Sequence, residues 1–259
     1  MVRMGPRAAV AVGLSGVLGI AAFCWPLLVD PGAGVAHGGD APLTFALLLP
    51  LALAVVLAEV SEGGMDAKAV AMLGVLSALG AAIRTLGAGT AGIETVFFLI
   101  VLAGRVFGPG FGWVLGNTTL FASALLTGGI GPWLPYQMLG AAWVGLVAGL
   151  LPRARGRVEL AMLACYGMVA SLVYGMLLNL SFWPFALGTG TELSFVPGDP
   201  VWDNLARLVA FSLATSLGWD IGRAITTVVL VLATGTVLLR VFRRAARRAR
   251  WGQETSHVV

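Results

Sequence analysis

Arg84, Asp220 and Arg223 stand inside long apolar stretches of this sequence. A charge within an apolar helix costs roughly 2.5–3.5 kcal/mol on insertion scales, so it is kept only where it faces a polar cavity or a partner. Asp220 and Arg223 are spaced i to i+3, and Trp219 and Arg223 i to i+4, so a carboxylate and an indole can both meet the guanidinium on one helical face. That trio makes either a self-satisfied ion pair that locks two helices or a contact for a polar solute. Met176, Asn179 and Trp183 fall at i, i+3 and i+7 on another apolar stretch, with Tyr174 one turn deeper and slightly off that stripe. Asn179 can donate and accept hydrogen bonds, which serves an interhelical amide bond or a ligand equally. Glu94 and Gln137 stand at similar positions near the ends of their own stretches.

Catalytic chemistry has little support. The only histidines, His37 and His257, lie in a loop and in the tail, so neither pairs with a nucleophile or forms a metal site within the helices. Lys68 is the only lysine and no glycine-rich phosphate loop precedes it. An enzyme is therefore not expected, nor are a cofactor or a metal. Cys24 and Cys165 occur in different apolar runs and read as small buried hydrophobes.

Those residues must be held by helices. At 259 residues, 58% hydrophobic, 11% charged and mean hydropathy +0.93, the chain lacks the polar surface of a soluble globule and reads as an all-α integral membrane protein. Apolar runs predict about eight transmembrane helices: Ala8 to Val29, Pro42 to Val60, Lys68 to Leu86, Glu94 to Phe107, Phe111 to Leu126, Trp133 to Leu151, Val158 to Leu187, and one long run from Leu205 to Arg240. The fourth and fifth are short and read as a tight hairpin across Phe107-Gly108-Pro109-Gly110. The first run is too long for a signal peptide and is expected to remain as a helix.

Arg3, Arg7, Lys68, Arg105, Arg153, Arg155, Arg157 and the cluster Arg240, Arg243, Arg244, Arg247, Arg248 and Arg250 fall at one set of helix ends. The opposite loops, Asp30 to Ala41, Gly87 to Ile93, Gly128 to Pro132 and Gly188 to Asn204, hold no Lys or Arg. The positive-inside rule then makes both termini cytoplasmic. A net charge of +4 needs no nucleic acid, because the arginines face anionic lipid. At ~1.5 Å per residue, Arg84 lies about 24 Å along its helix from Lys68, and Asp220 and Arg223 about 25–30 Å from Arg240. The intramembrane charges therefore belong to the outer half. Trp25, Trp133, Tyr136, Trp183 and Trp202 map to the outer boundary as an aromatic belt.

Small residues recur every fourth position at Gly108, Gly112 and Gly116, at Ala141, Gly145 and Gly149, at Gly74, Ala78 and Ala82, and at Gly218 and Gly222. Such stripes let helices pack closely within the bundle, or meet another membrane subunit.

From Lys68 to Arg250 the sequence resembles the substrate-binding S component of an energy-coupling factor (ECF) vitamin transporter. The likeness is carried by the small residues Gly74, Ala78 and Ala82, by GRVFGPGFGWVLGN at 104–117, GGIGPWLPYQMLG at 128–140, YGMLLNLSFWPF at 174–185 and TSLGWDIGR at 215–223. It implies a six-helix binding core at 67–242 in the plasma membrane, with two added N-terminal helices in 1–66 and a basic cytoplasmic tail at 243–259. It also implies capture of a vitamin from outside and docking, through Gly74, Ala78 and Ala82, on a transmembrane T subunit driven by two ABC ATPases. The substrate would lie beneath the loop Gly87 to Ile93, in a cavity lined by Arg84, Glu94, Gln137, Asn179, Trp183, Trp219, Asp220 and Arg223. The family's cobalt and nickel members use an N-terminal histidine, whereas Val2 follows Met1 here. Among vitamins the resemblance leans to cobalamin, then to thiamine or its pyrimidine precursor. A stand-alone secondary transporter or facilitator using the same cavity, and a non-transporting scaffold, remain open alternatives.

Overall fold

The structure, a computed structural model, describes residues 6–28, 67–87, 90–131, 133–186 and 191–254. These residues form helices and no strand: α1 (Pro6–Leu28), α2 (Ala67–Gly87), a 3-10 turn (Thr90–Gly92), α3 (Phe97–Phe107), α4 (Pro109–Thr127), α5 (Leu134–Leu150), α6 (Gly156–Ala186), α7 (Val201–Thr215) and α8 (Leu217–Glu254). Three stretches, Ala67–Gly87, Gly156–Trp183 and Leu217–Arg247, are long and apolar enough to cross a membrane. The run Pro42 to Val60 lies outside the described residues.

α3 is apolar on every side, and a helix of that kind belongs in an interior. All its residues except Arg105 are buried, with α4, α5, α6 and α8 packed around it. At ~1.5 Å per residue it is only about 16 Å long, so it acts as a central pin rather than as a span. Gly108 alone joins it to α4. Its φ of 108° is open to glycine but not to residues carrying a Cβ, and Pro109 starts the next helix at a position that needs no N–H. The hairpin expected across 107–110 is therefore made by a single residue.

Two of the small-residue stripes meet each other. A Cβ on Gly112 would strike the Gly145 carbonyl, one on Gly116 the Ala141 backbone, and one on Gly149 the backbone of Gly108 and Pro109. Gly104 of α3 closes on the same Gly145 carbonyl. α3, α4 and α5 thus touch backbone to backbone, which only missing side chains permit. The Gly74, Ala78 and Ala82 stripe differs, since all three residues are exposed on α2 and nothing lies within 4 Å of a Cβ built on Gly74.

One end of the bundle is tied by charge. Glu159, 1% exposed at the start of α6, accepts from Arg105 Nε of α3 at 2.8 Å and from Arg243 Nη2 of α8 at 2.6 and 2.7 Å. Arg105 Nη1 also donates to the Leu151 carbonyl at 2.8 Å. From there α6 and α8 run antiparallel, with Leu160 beside Gly235, Gly167 beside Thr227 and Gly175 beside Asp220.

Several boundaries depart from the apolar runs. The stretch from Leu205 to Arg240 divides at Ser216, although it holds no proline. Thr215 Oγ1 donates to the Phe211 carbonyl at 2.7 Å, the Ser216 hydroxyl shares its one hydrogen between the Ser212 carbonyl at 3.2 Å and Asp220, and hydroxyls that bond back onto the preceding turn bend helices. Glu94 falls in the connection ahead of α3 rather than at a helix start. The arginine-rich segment continues α8 to Glu254. Cys165 is exposed on α6 instead of buried, and Cys24 is half-buried, neither in a disulfide.

Gly112→Ala is expected to destabilise the protein by about 1–3 kcal/mol through overpacking, whereas Gly74→Ala leaves the thermal unfolding midpoint in detergent unchanged or raised. Glu159→Gln, which removes the charge paired with part-buried Arg105 and leaves buried polar atoms mismatched, is expected to cost about 3–5 kcal/mol in the same assay.

Candidate functional site

Roughly 20 Å along α6 from Glu159, at ~1.5 Å per residue, the bundle holds its second group of charges. α2 supplies Arg84 and the connection before α3 supplies Glu94, with Arg84 Nε 3.3 Å from Glu94 Oε1. Arg84 Nη1 donates to Ser123 Oγ of α4 at 3.1 Å. Thr95 Oγ1 donates to the Ile83 carbonyl at 2.7 Å, which fixes the connection against α2. Gly92, at φ 75°, seats the same connection on the backbone of Trp219 in a space that any side chain would fill.

α8 supplies the other pair in its first two turns. Arg223 Nη1 donates to Asp220 Oδ1 at 2.8 Å and to the Ser171 carbonyl of α6 at 3.1 Å. Asp220 is 6% exposed and fits against α6 because Gly175 leaves room for its carboxylate. The ion pair therefore also ties α8 to α6, as the i to i+3 spacing allows. The rings that face Arg223 are Tyr174, 5.1 Å from its guanidinium carbon, and Phe97, 6.0 Å away. Trp219 is 49% exposed and points elsewhere; with Leu213, Ala214, Thr215, Leu217 and Gly218 it lines an open groove of about 440 Å³ at the α7–α8 elbow.

Asn179 links α6 to that elbow. Its Nδ2 donates to Ser212 Oγ at 3.0 Å and Ser216 Oγ at 2.6 Å, and Ser216 Oγ donates to Asp220 Oδ2 at 3.1 Å. A continuous polar chain thus runs from Asn179 through Ser216 and Asp220 to Arg223. Trp183 is fully buried beside it, donating Nε1 to the Leu193 carbonyl at 2.6 Å and packing on Phe195 and Phe211. Its surroundings are those of a packing residue. Gln137 is half-buried on α5, one turn from Gly140, against which the Tyr174 ring lies. Tyr136 is buried against Phe23, while Trp133 and Trp202 are exposed.

The structure accordingly joins Arg84 with Glu94, and Asn179 with Asp220 and Arg223. The connection that carries Glu94 links the two parts: Gly92 at its start seats on the Trp219 backbone, and Phe97 just after it lies beneath Arg223. Trp183 and Trp219 stand to either side of this cluster rather than within it. Ser123, Ser212 and Ser216 are the additions that the sequence reading missed, while Tyr174, set off the Met176–Trp183 stripe, joins the cluster through Arg223. Arg207, also passed over, pairs with Asp199 at 2.7 Å beside α7.

Fold and site together define a protein whose described residues are helical, with membrane-length apolar helices and a part-buried polar cluster at the end opposite its arginine-rich one. No known protein family, curated protein or solved structure matches the chain.

Asn179→Ala is expected to lower stability by about 1–2 kcal/mol through loss of its interhelical bonds. Trp183→Ala should cost about 3–5 kcal/mol, the usual penalty of emptying a large aromatic site, with Trp183→Phe recovering much of it in the same thermal unfolding assay.

Proposed function

We propose that the chain is the substrate-specific S subunit of an ECF-type importer, a multi-pass protein of the bacterial plasma membrane with both termini cytoplasmic. In this reading the longer apolar helices cross the bilayer around the short α3, and the Arg84–Glu94 and Asp220–Arg223 cluster sits in its outer half. A water-soluble vitamin or precursor enters there from outside and is passed to a T subunit driven by two ABC ATPases. The observation that carries the reading is the polar cluster itself: four ionisable groups gathered among apolar helices, away from the arginines that the positive-inside rule assigns to the cytoplasm. The resemblance of residues 68–250 supplies the identity of the partners. Gly74, Ala78 and Ala82, exposed on α2, are the surface that resemblance assigns to the T subunit.

The test is affinity purification of the tagged protein from its native membrane in mild detergent, with mass spectrometry of accompanying chains. Two ABC ATPases and a T-type membrane subunit are expected. Their absence under conditions that preserve other complexes favours a stand-alone transporter or a scaffold. Gly74→Leu combined with Ala78→Leu is expected to abolish this co-purification without changing the unfolding midpoint.

A further inference from the structure

The two arginines of the cluster are not fully used by the protein. Arg223 makes both its hydrogen bonds through Nη1, and its buried Nε has no partner. Among the described residues its Nη2 likewise donates to nothing. Nε and Nη2 form the side of a guanidinium that matches two oxygens of a carboxylate or phosphate at once. That side is distinct from the Nη1 corner that Asp220 occupies. The buried Nε of Arg84 also lacks a hydrogen bond, because Glu94 at 3.3 Å pairs with it by charge but out of line. A buried donor left without an acceptor is costly, more so for a charged group, and the fold tolerates this at both arginines.

The surroundings hold the donors in position. Arg223 rests over Tyr174 and Phe97, and its Nη1 is fixed from α6 and from its own helix, so the free edge has one orientation. Among the described residues the Tyr174 hydroxyl makes no hydrogen bond, and Gln137 is half-buried nearby with its amide unbonded.

We infer that the Nε–Nη2 edge of Arg223, with Arg84 beside it, binds the oxyanion of a carboxylate- or phosphate-bearing ligand. That this ligand is the transported solute rests on the S-subunit reading; the anion site itself does not. A soluble solute and an anionic lipid headgroup present the same chemistry.

The experiment measures thermal unfolding of the purified full chain in neutral detergent against matched probes. Benzoate and benzenephosphonate are compared with benzamide, which has the same shape without the charge. Dihexanoyl phosphatidylglycerol is compared with dihexanoylglycerol. Both benzene anions are expected to raise the midpoint while benzamide does not, with benzoate affinity falling about tenfold or more in Arg223→Lys, which keeps the charge but loses the fork. Arg207→Lys, in a surface ion pair, should respond as wild type. A rise with phosphatidylglycerol alone keeps the oxyanion and assigns it to lipid. Equal responses to benzoate and benzamide, or no response to any anion, overturn the inference, and the wild-type comparison decides this even if Arg223→Lys fails to fold. Anion binding by a chain that purifies without ATPases removes the importer reading and keeps the site; co-purified ATPases with no anion response do the reverse.

Discussion

Close backbone contact at Gly145 is the constraint on which the rest of the molecule depends. Gly104 and Gly112, from the two arms of one hairpin, both close on its carbonyl, so α3, α4 and α5 approach to a distance that no side chain permits. Apolar packing is individually weak per atom pair and strong only in sum, and in an apolar surrounding it is close fit rather than water exclusion that holds helices together. Everything else hangs on the pin so gripped. Phe97 at one end of α3 lies beneath Arg223, and Arg105 near the other end reaches Glu159. The position of both charged groups is thus set by the same 11-residue helix.

The two groups have opposite character. Around Glu159 both carboxylate oxygens accept from arginines and Arg105 also finds a carbonyl, which is how a buried ion pair offsets its desolvation. Such a knot is structural. At the other end, donors outnumber aligned acceptors, and two guanidinium nitrogens stay buried without a bond. Low dielectric raises the cost of incomplete networks, so the contrast within one chain separates a site that closes the fold from one that awaits something.

Much of this is legible in the amino-acid sequence, and what is not has a physical reason. The helical runs, the hairpin at Gly108 and the Asp220–Arg223 pair follow from local spacing, because each depends on residues within one or two turns. The stripes at 108–116 and 141–149 announce close packing, but which stripe meets which is a matter of tertiary pairing that periodicity does not carry. Ser216 ends a helix without proline or a sustained polar break, through hydroxyl back-bonds that compete with helical geometry only in context. Glu159 follows a basic connection and reads as an ordinary solvated acid until α3 and α8 arrive beside it. Tyr174 and Arg84 reach the cluster from different helices, and only the folded bundle shows that they share it.

The elbow at Ser216 separates two kinds of response. Asn179 holds it through an amide and two hydroxyls, groups that carry no net charge and do not titrate in the physiological range. The charges it delivers, Asp220 and Arg223, form one buried ion pair, which salt screens far less than an exposed one. A change in salt therefore leaves the angle of α7 against α6 where the neutral bonds hold it, and the shielded pair that anchors α8 on α6 yields only weakly beside it.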